Sequence, residues 1–217
     1  TFFGCSGLKK ITIPKNCVTI GEDAFYCCSG LEEISVEDGN PVFDSRGNCK
    51  ALIDSKSNTL LLGGKNSVVP DGVTAIAEYA FAYTGITEIT IPDSVIRIDE
   101  CAFYTCTQLK SVVLPKNVTS IENDVFRYCS NLENVKLPEG LKTIGAGAFS
   151  GCSSLQTVTI PAAVDAIGLT AFYACKSLTE IVIPKGVTKI SNRCFYECDN
   201  LTSIVLPGSI EAIDVYA

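Results

Sequence analysis

A pattern of 23 residues repeats along almost the whole chain and constrains its fold more than any other feature. From Leu109 onwards it reads L-x-x-(I/V)-x-(I/L)-P-x-x-(V/L/I)-x-x-I-x-x-x-(A/V/C)-F-x-x-C, and then begins again. Three positions form evenly spaced columns, which are Leu109, Leu132, Leu155, Leu178 and Leu201; Pro92, Pro115, Pro138, Pro161, Pro184 and Pro207; and Phe103, Phe126, Phe149, Phe172 and Phe195. A fixed period of this length is typical of a solenoid, in which each unit buries its apolar face only by stacking on its neighbours.

Each unit begins with a short alternating run such as Ile-Thr-Ile at 89–91, which predicts a β-strand. The proline that follows has no N–H group and therefore ends the ladder of strand hydrogen bonds. Further along the unit, Ile144, Ala148 and Cys152 have the i, i+4, i+8 spacing of one helical face. We therefore predict an α/β solenoid, a right-handed superhelix with short parallel strands on one face and short helical or irregular segments on the other.

One interruption separates Leu31 from Ile86, which lie two periods and nine residues apart. Two apolar runs in the additional material flank a polar turn at 54–58, and this arrangement predicts one inserted β-hairpin. Both ends of the chain fall inside a repeat, so we expect it to be a segment of a longer protein. We treat it as one domain with three parts, which are the first repeats at 1–36, a hairpin-bearing irregular repeat at 37–69 and regular repeats at 70–217.

The composition excludes several classes of function. Because the chain contains no histidine, it lacks Ser-His-Asp and Cys-His catalytic arrangements and every zinc site that uses imidazole. Its net charge of −7, without a cluster of lysine and arginine, argues against nucleic-acid binding. No apolar stretch approaches the roughly 20 residues of a transmembrane helix, so we expect no membrane insertion within this segment. No spacing of residues supports an enzyme, and no cofactor is implied.

The cysteines and phenylalanines of the repeat form two predicted core ladders. Side chains on stacked parallel units lie roughly 5 Å apart, whereas the Cβ atoms of a disulfide lie about 3.8 Å apart. A straight column of thiols also cannot converge tetrahedrally on a metal ion. We therefore predict buried free thiols, with Cys49 of the hairpin as the most exposed cysteine. The predicted ladders comprise Cys106, Cys129, Cys152, Cys175 and Cys198, and Phe103, Phe126, Phe149, Phe172 and Phe195.

The I-x-I-P-x-x-V-x-x-I-x-x-x-A-F-x-x-C core, the 23-residue period and the interrupting hairpin resemble the BspA-like (Treponema-type) leucine-rich repeat family. Members of that family are mostly cell-surface or secreted bacterial proteins implicated in adhesion. The resemblance implies a non-catalytic binding or adhesion module whose partner is a host-matrix or cell-surface protein, or a glycan. It carries over no catalytic residue. The asparagine that pins the turn in commoner leucine-rich repeats is absent, so these turns must satisfy their backbone groups differently.

Two surfaces are candidates for binding. The first is the centre of the strand face, where the residues between the buried positions are Ser111, Val113, Asn134, Lys136, Thr157 and Thr159. The second is the hairpin, since insertions in repeat arrays often carry binding, and its candidates are Phe43, Asp44, Arg46 and Asn48. The strand face has no aromatic anchor, so an ordinary solvated sheet remains an alternative. An architectural spacer and a carbohydrate-binding module of a larger protein also remain open.

Overall fold

The computed structural model of the protein describes residues 2–21 and 23–217, which form a stack of coils built from short strands. In this part of the chain the only helix is a three-residue 3₁₀ helix at Arg46–Asn48. The strands are Lys10–Ile13 (β1), Glu33–Val36 (β2), Phe43–Asp44 (β3), Leu52–Asp54 (β4), Thr59–Leu62 (β5), Ala75–Ile76 (β6), Glu88–Thr90 (β7), Arg97–Ile98 (β8), Ser111–Val113 (β9), Ser120–Ile121 (β10), Asn134–Lys136 (β11), Thr143–Ile144 (β12), Ala166–Ile167 (β13), Glu180–Val182 (β14), Lys189–Ile190 (β15), Ser203–Val205 (β16) and Ala212–Ile213 (β17).

Equivalent strands of successive coils lie side by side and parallel, in register at the period of the sequence. Val112 on β9 lies between Ile89 on β7 and Val135 on β11. A second column of two-residue strands runs beside the first, with β12 paired to β10 on one side and to β13 on the other. The solenoid of stacked parallel strands that the repeat pattern predicts is therefore confirmed.

The helical segments predicted for the other side of each coil are wrong, because these segments consist of consecutive turns. The residues two before and two after the core phenylalanine have positive φ, as Cys101 (55°) and Thr105 (58°) do around Phe103. A non-glycine residue at positive φ cannot continue an α-helix. The N–H groups of Phe103 and Thr105 donate instead to the carbonyls of Val125 and Arg127 in the next coil. The chain is therefore a β-solenoid and not an α/β solenoid.

A continuous column of phenylalanine rings fills the interior beneath these turns. From Phe81 to Phe195, neighbouring rings lie 5.2 to 5.6 Å apart between centroids, and their planes differ by 5° to 11°. The column ends at Phe81, where the backbone of Gly63 packs directly on the ring. A Cβ atom on Gly63 would lie 2.1 Å from Cε1 of Phe81, so only glycine fits there without displacing the ring.

The thiols of the repeat cysteines tie each coil to the preceding one. Cys129 and Cys152 are buried, and each Sγ lies 3.1 Å from a carbonyl oxygen, that of Phe103 and that of Phe126 respectively. Burial raises the pKa of Cys152 far above its usual range, so the thiol keeps the proton that it donates. The thiols thus bridge the turns of successive coils. The expectation for Cys49 was wrong, because its side chain is buried.

The inserted hairpin is confirmed, and it divides the core. Strands β4 and β5 are antiparallel, and β5 then pairs in parallel with β6, so the hairpin is built into the column of short strands. Because side chains alternate along a strand, Leu52 joins a small apolar cluster with Ile13 and Ile34, whereas Ile53 joins the large cluster that runs through the rest of the stack. The hairpin therefore stands between two separately packed cores.

Candidate binding surfaces

The strand face brings together most of the residues predicted at its centre. Ser111 and Val113 on β9 lie beside Asn134 and Lys136 on β11 in parallel register. The side chain of Val113 is 58% exposed. Thr157 makes only an isolated bridge to Asn134, and the segment 155–160 that carries Thr157 and Thr159 forms no strand beside β11. These four residues of β9 and β11 thus form one patch, which the threonines border without extending the sheet. Thr159 is exposed on the same segment.

A groove of about 850 Å³ lies between β7 and the chain segment 65–71, and Ser111 and Val113 of β9 also line it. Strand β7 pairs with β9 and with no other strand in the described part of the chain. The backbone of the segment 65–71 makes its hydrogen bonds towards the N-terminal end of the stack, away from β7. The N–H of Lys65, for example, donates to the carbonyl of Leu31. The parallel column of longer strands is therefore open at this point.

The hairpin residues predicted to bind a partner make contacts within the hairpin. The ring of Phe43 is buried in the small apolar cluster. The guanidinium of Arg46 donates to both carboxylate oxygens of Asp44, at 2.8 and 2.6 Å, and to the side-chain oxygen of Asn58 at 2.8 Å. Asn48 ends the 3₁₀ helix with a φ of 52°. These four residues therefore shape and brace the hairpin.

The charge pair of the hairpin is reflected in the ionisation of its members. Partial burial alone would raise the pKa of the Asp44 carboxyl, but hydrogen bonds from the side chain and backbone of Arg46 outweigh it and lower the pKa below its usual range. The same interaction raises the pKa of Arg46. Both side chains are about one-third exposed, so the pair is screened by solvent and contributes no more than about 1 kcal/mol.

All the tyrosines of the chain lie on the turns that flank the phenylalanine column, and we name this surface the tyrosine face. Its first run of ring contacts passes from Tyr26 to Tyr83, Tyr104 and Tyr128, with centroid distances of 5.3, 5.6 and 5.7 Å. A second run joins three rings at 5.9 and 5.8 Å. Adjacent rings at these distances form an aromatic surface across successive coils. The members of the tyrosine face are Tyr26, Tyr79, Tyr83, Tyr104, Tyr128, Tyr173, Tyr196 and Tyr216.

Two arginines add positive charge to the tyrosine face. The guanidinium carbon of Arg127 lies 5.0 Å from the ring centroid of Tyr128, and that of Arg193 lies 5.9 and 5.5 Å from those of Tyr196 and Tyr216. The three tyrosines are 41%, 40% and 61% exposed. Cation–π contacts of this kind hold the rings and guanidinium groups together at the surface. The face therefore combines rigid aromatic area with fixed cationic groups.

Two features fix the protonation and position of the rings. Burial raises the pKa of Tyr104, and a hydrogen bond to Glu197 raises the pKa of Tyr173, so both phenols remain neutral donors at neutral pH. A Cβ atom on Gly151 would lie 2.5 Å from Cδ1 of Tyr128. The ring of Tyr128 therefore rests directly on the backbone of the next coil.

The sequence contains a signal for the tyrosine face that lies outside the alternating pattern of the strands. Tyr104 and Tyr173 directly follow a phenylalanine of the repeat, and Tyr83 and Tyr128 come two residues after one. In a tight turn the neighbours of a buried side chain cannot all be buried with it. Large side chains at these positions therefore lie at least partly at the surface, on the turns and not on the strands.

No group of three histidine, cysteine, aspartate or glutamate side chains in residues 2–21 and 23–217 is placed to hold a metal ion. Over the same residues, no helix has the length and apolar character needed to cross a bilayer. Carboxylates of neighbouring coils pair with lysines instead, as Glu33 does with Lys10 at 2.8 Å and Asp93 does with Lys116 at 2.9 Å. These exposed pairs link coils across the surface.

Solved structures of bacterial leucine-rich repeat proteins are similar to the chain. A leucine-rich repeat protein from Eubacterium ventriosum superposes with a TM-score of 0.80 at 25% identity, over 95% of this chain and 57% of that one. The T. pallidum leucine rich repeat protein gives 0.67 at 29% identity, over 74% and 80%. A leucine rich cell surface protein from Faecalibacterium prausnitzii gives 0.62 at 26% identity, over 91% and 48%. The chain thus spans a little over half the length of the E. ventriosum structure.

Sequence comparison leads to the same group of proteins. The family model of the BspA type leucine rich repeat region matches in six copies, over residues 1–49, 64–176 and 99–217. No curated protein matches the chain by sequence. The matched ranges contain the columns of leucine, proline and phenylalanine as well as the stacked strands that they produce. The chain belongs to the BspA type leucine-rich repeat family.

Proposed function

We propose that this chain is a non-catalytic protein-binding module of a bacterial cell-surface or secreted protein, and that it contributes to adhesion. The family and the cell-surface protein of F. prausnitzii support this location. Stacked coils with paired backbone groups provide a stiff scaffold, and side chains on its outer positions can vary without disturbing the core. Such a scaffold suits the display of a binding surface.

The tyrosine face carries this proposal. Tyrosine and arginine are enriched in the residues that dominate binding energy at protein interfaces. Tyrosine also provides contact area at a low entropic cost, because it has only two side-chain torsions and here its neighbours already restrict them. The exposed rings of Tyr128, Tyr196 and Tyr216, each beside an arginine, form such anchors. We place the main contact with the partner there.

The experiment begins with a screen of the chain against extracellular-matrix proteins, host cell-surface proteins and a glycan array. For a protein that binds, surface plasmon resonance then compares Tyr128→Ala and Tyr196→Ala with Val182→Ala, an exposed control on β14 of the strand face that lies in neither the groove nor the tyrosine face. Loss of a binding hot spot costs about 2 kcal/mol or more, so each tyrosine variant should weaken binding about 30-fold. The control should stay within about twofold. Equal losses in all three variants would refute the assignment to the tyrosine face.

A glycan-binding module is the second candidate, and the exposed tyrosine rings favour it because aromatic faces can stack on sugar rings. Binding to glycans alone in the same screen would identify this function. An architectural spacer predicts that neither proteins nor glycans bind. Each outcome therefore selects one of the three functions.

A further inference from the structure

We propose that the groove between β7 and residues 65–71 binds an extended peptide segment of a partner protein, which adds to the edge of β7 as a further strand. This site is separate from the tyrosine face. The site is formed mainly by backbone N–H and C=O groups, so the occupant that fits it is a chain segment that can pair with these groups.

The backbone of β7 presents unused donors and acceptors to the groove. Successive residues of a strand direct their N–H and C=O groups to opposite edges. The carbonyl of Thr87 accepts from the N–H of Lys110, so it points towards β9, and the N–H and C=O of Ile89 point the same way. The N–H and C=O groups of Glu88 and Thr90 therefore point into the groove. Beyond the β7–β9 ladder, no backbone hydrogen bond of Glu88 or Thr90 exists in the described ranges. An unpaired strand edge of this kind is a template for another strand.

The side chains near this edge also show that a neighbour is missing. Val112 occupies the equivalent position on β9, has a strand on either side and is 2% exposed. Ile89 on β7 is only partly buried, although it belongs to the same column of core residues. A strand placed in the groove would cover Ile89 as β7 covers Val112.

The opposite wall of the groove is held away from β7. The N–H of Val68 donates to the carbonyl of Cys49, and the Ser67 hydroxyl donates to the carbonyl of Lys50 while accepting from the N–H of Gly64. Ser67 is itself buried. These bonds anchor the wall to the N-terminal side of the stack, so it cannot move over to pair with β7 without breaking them.

These features favour an extended peptide over other occupants. A peptide strand repeats its donors and acceptors at the spacing that β7 offers, and it lies about 4.8 Å from its neighbour. Its inward residue would cover the apolar side chain of Ile89, while its outward residues would lie between Lys65 on the wall and Glu88 on β7. A second copy of this chain fits poorly, because its own β7 edge is recessed behind the same wall.

The test uses a fluorescein-labelled peptide with the sequence of residues 109–115, which carries the strand of the repeat itself. In the protein the carbonyl of Lys110 and the N–H of Leu114 face the following coil, so the amide of Val112 does too. An N-methyl group at the Val112 position of the peptide should therefore abolish binding, whereas one at the Val113 position should not. This pair of peptides tests the backbone contacts on the unaltered protein.

The matching protein variant is Thr90→Pro, which removes one N–H that faces the groove. Proline is tolerated at a strand edge when its missing N–H is unpaired, so the unfolding temperature should not change. One hydrogen bond corresponds to about a fivefold change in affinity, so fluorescence anisotropy should show at least that loss, and about 25-fold for Glu88→Pro combined with Thr90→Pro. Sedimentation velocity on both proteins measures self-association.

Four outcomes would overturn the proposal. They are the absence of peptide binding at millimolar concentration, equal affinities for wild type and Thr90→Pro, equal effects of the two N-methyl groups, and a wild-type dimer that Thr90→Pro dissociates. The last outcome would assign the edge to a second copy. None of these results depends on the tyrosine variants, so the two proposals succeed or fail separately.

Discussion

Replacing Phe149 with alanine tests whether stacking between coils holds the solenoid together. Phe149 is completely buried, and its ring lies 5.5 Å from that of Phe126 and 5.4 Å from that of Phe172. The substitution removes the ring from the middle of the column and therefore weakens two interfaces between coils. Phe195→Ala is the matched comparison, since Phe195 contacts one described phenylalanine ring, at 5.6 Å, and is 7% exposed.

The expected magnitudes follow from these contacts. Truncation of a buried phenylalanine costs about 3–5 kcal/mol, because transfer free energy is lost and a cavity is left. An aromatic pair contributes about 0.5–1.5 kcal/mol beyond the area that it buries. Phe149→Ala should therefore lower the free energy of unfolding by about 4–5 kcal/mol. Phe195→Ala should cost about 1 kcal/mol less, since only one pair is lost.

Differential scanning calorimetry and urea titration measure the two variants. For a domain of this size, each kcal/mol corresponds to about 2–4 °C in Tm, so Phe149→Ala should lower the Tm by about 8–20 °C. Equal losses for both variants, within about 0.3 kcal/mol, would contradict nearest-neighbour stacking as the source of stability. So would a loss below about 2 kcal/mol for Phe149→Ala, because the ring would then not be closely packed.

Three further predictions concern close packing and the thiols. In urea titrations, Gly63→Ala should lower the free energy of unfolding by about 1–3 kcal/mol, because the added Cβ meets the buried ring of Phe81. In the control Gly208→Ala the added Cβ meets no atom within 4 Å, so the free energy of unfolding should change by less than about 0.5 kcal/mol. Similar values for both variants would refute the packing argument. Burial raises the pKa of Cys194 to about 12, so this thiol stabilises the fold fully below pH 9 and progressively less as the pH rises towards 12. At pH 10 the wild type should therefore have lost about 1.4 kcal/mol of stability through this thiol, and Cys194→Ala should not show that loss. A pH profile that is the same for both proteins would refute this. Ellman's reagent should label the exposed Cys5 rapidly in the native protein, and equally rapid labelling of Cys194 would show that the core is open.

The strand columns could be predicted from the sequence because two independent signals agree there. The alternation of apolar residues sets which side chains point inwards, and the 23-residue period sets which residues of successive coils are neighbours. Val112 therefore had to lie between Ile89 and Val135, as it does. The hairpin was predictable for a similar reason, since apolar runs flanked a polar turn. The right-handed winding stays a prediction.

The turns could not be predicted in the same way because the spacing of buried residues was ambiguous. Intervals of four residues occur both in a helix and in consecutive turns that place every fourth residue at positive φ. Glycine in the sequence indicates a positive φ, as at Gly147 and Gly151. Cys101 and Thr105 also have positive φ, but their residue types do not predict it. Hydrogen bonds between the turns of successive coils favour consecutive turns over a helix. These bonds form only in the assembled solenoid, so the sequence of a single repeat does not reveal them.

The division of the core at the hairpin has a consequence for how such proteins change length over evolution. Leu52 and Ile53 are adjacent in one strand but belong to different apolar clusters. Duplication or deletion of whole coils beyond Ile98 would lengthen or shorten the larger cluster and leave the packing around Leu52 unaltered. Gene-level gain and loss of repeats can therefore adjust the reach of the protein while the N-terminal portion, with its groove and hairpin, is inherited unchanged.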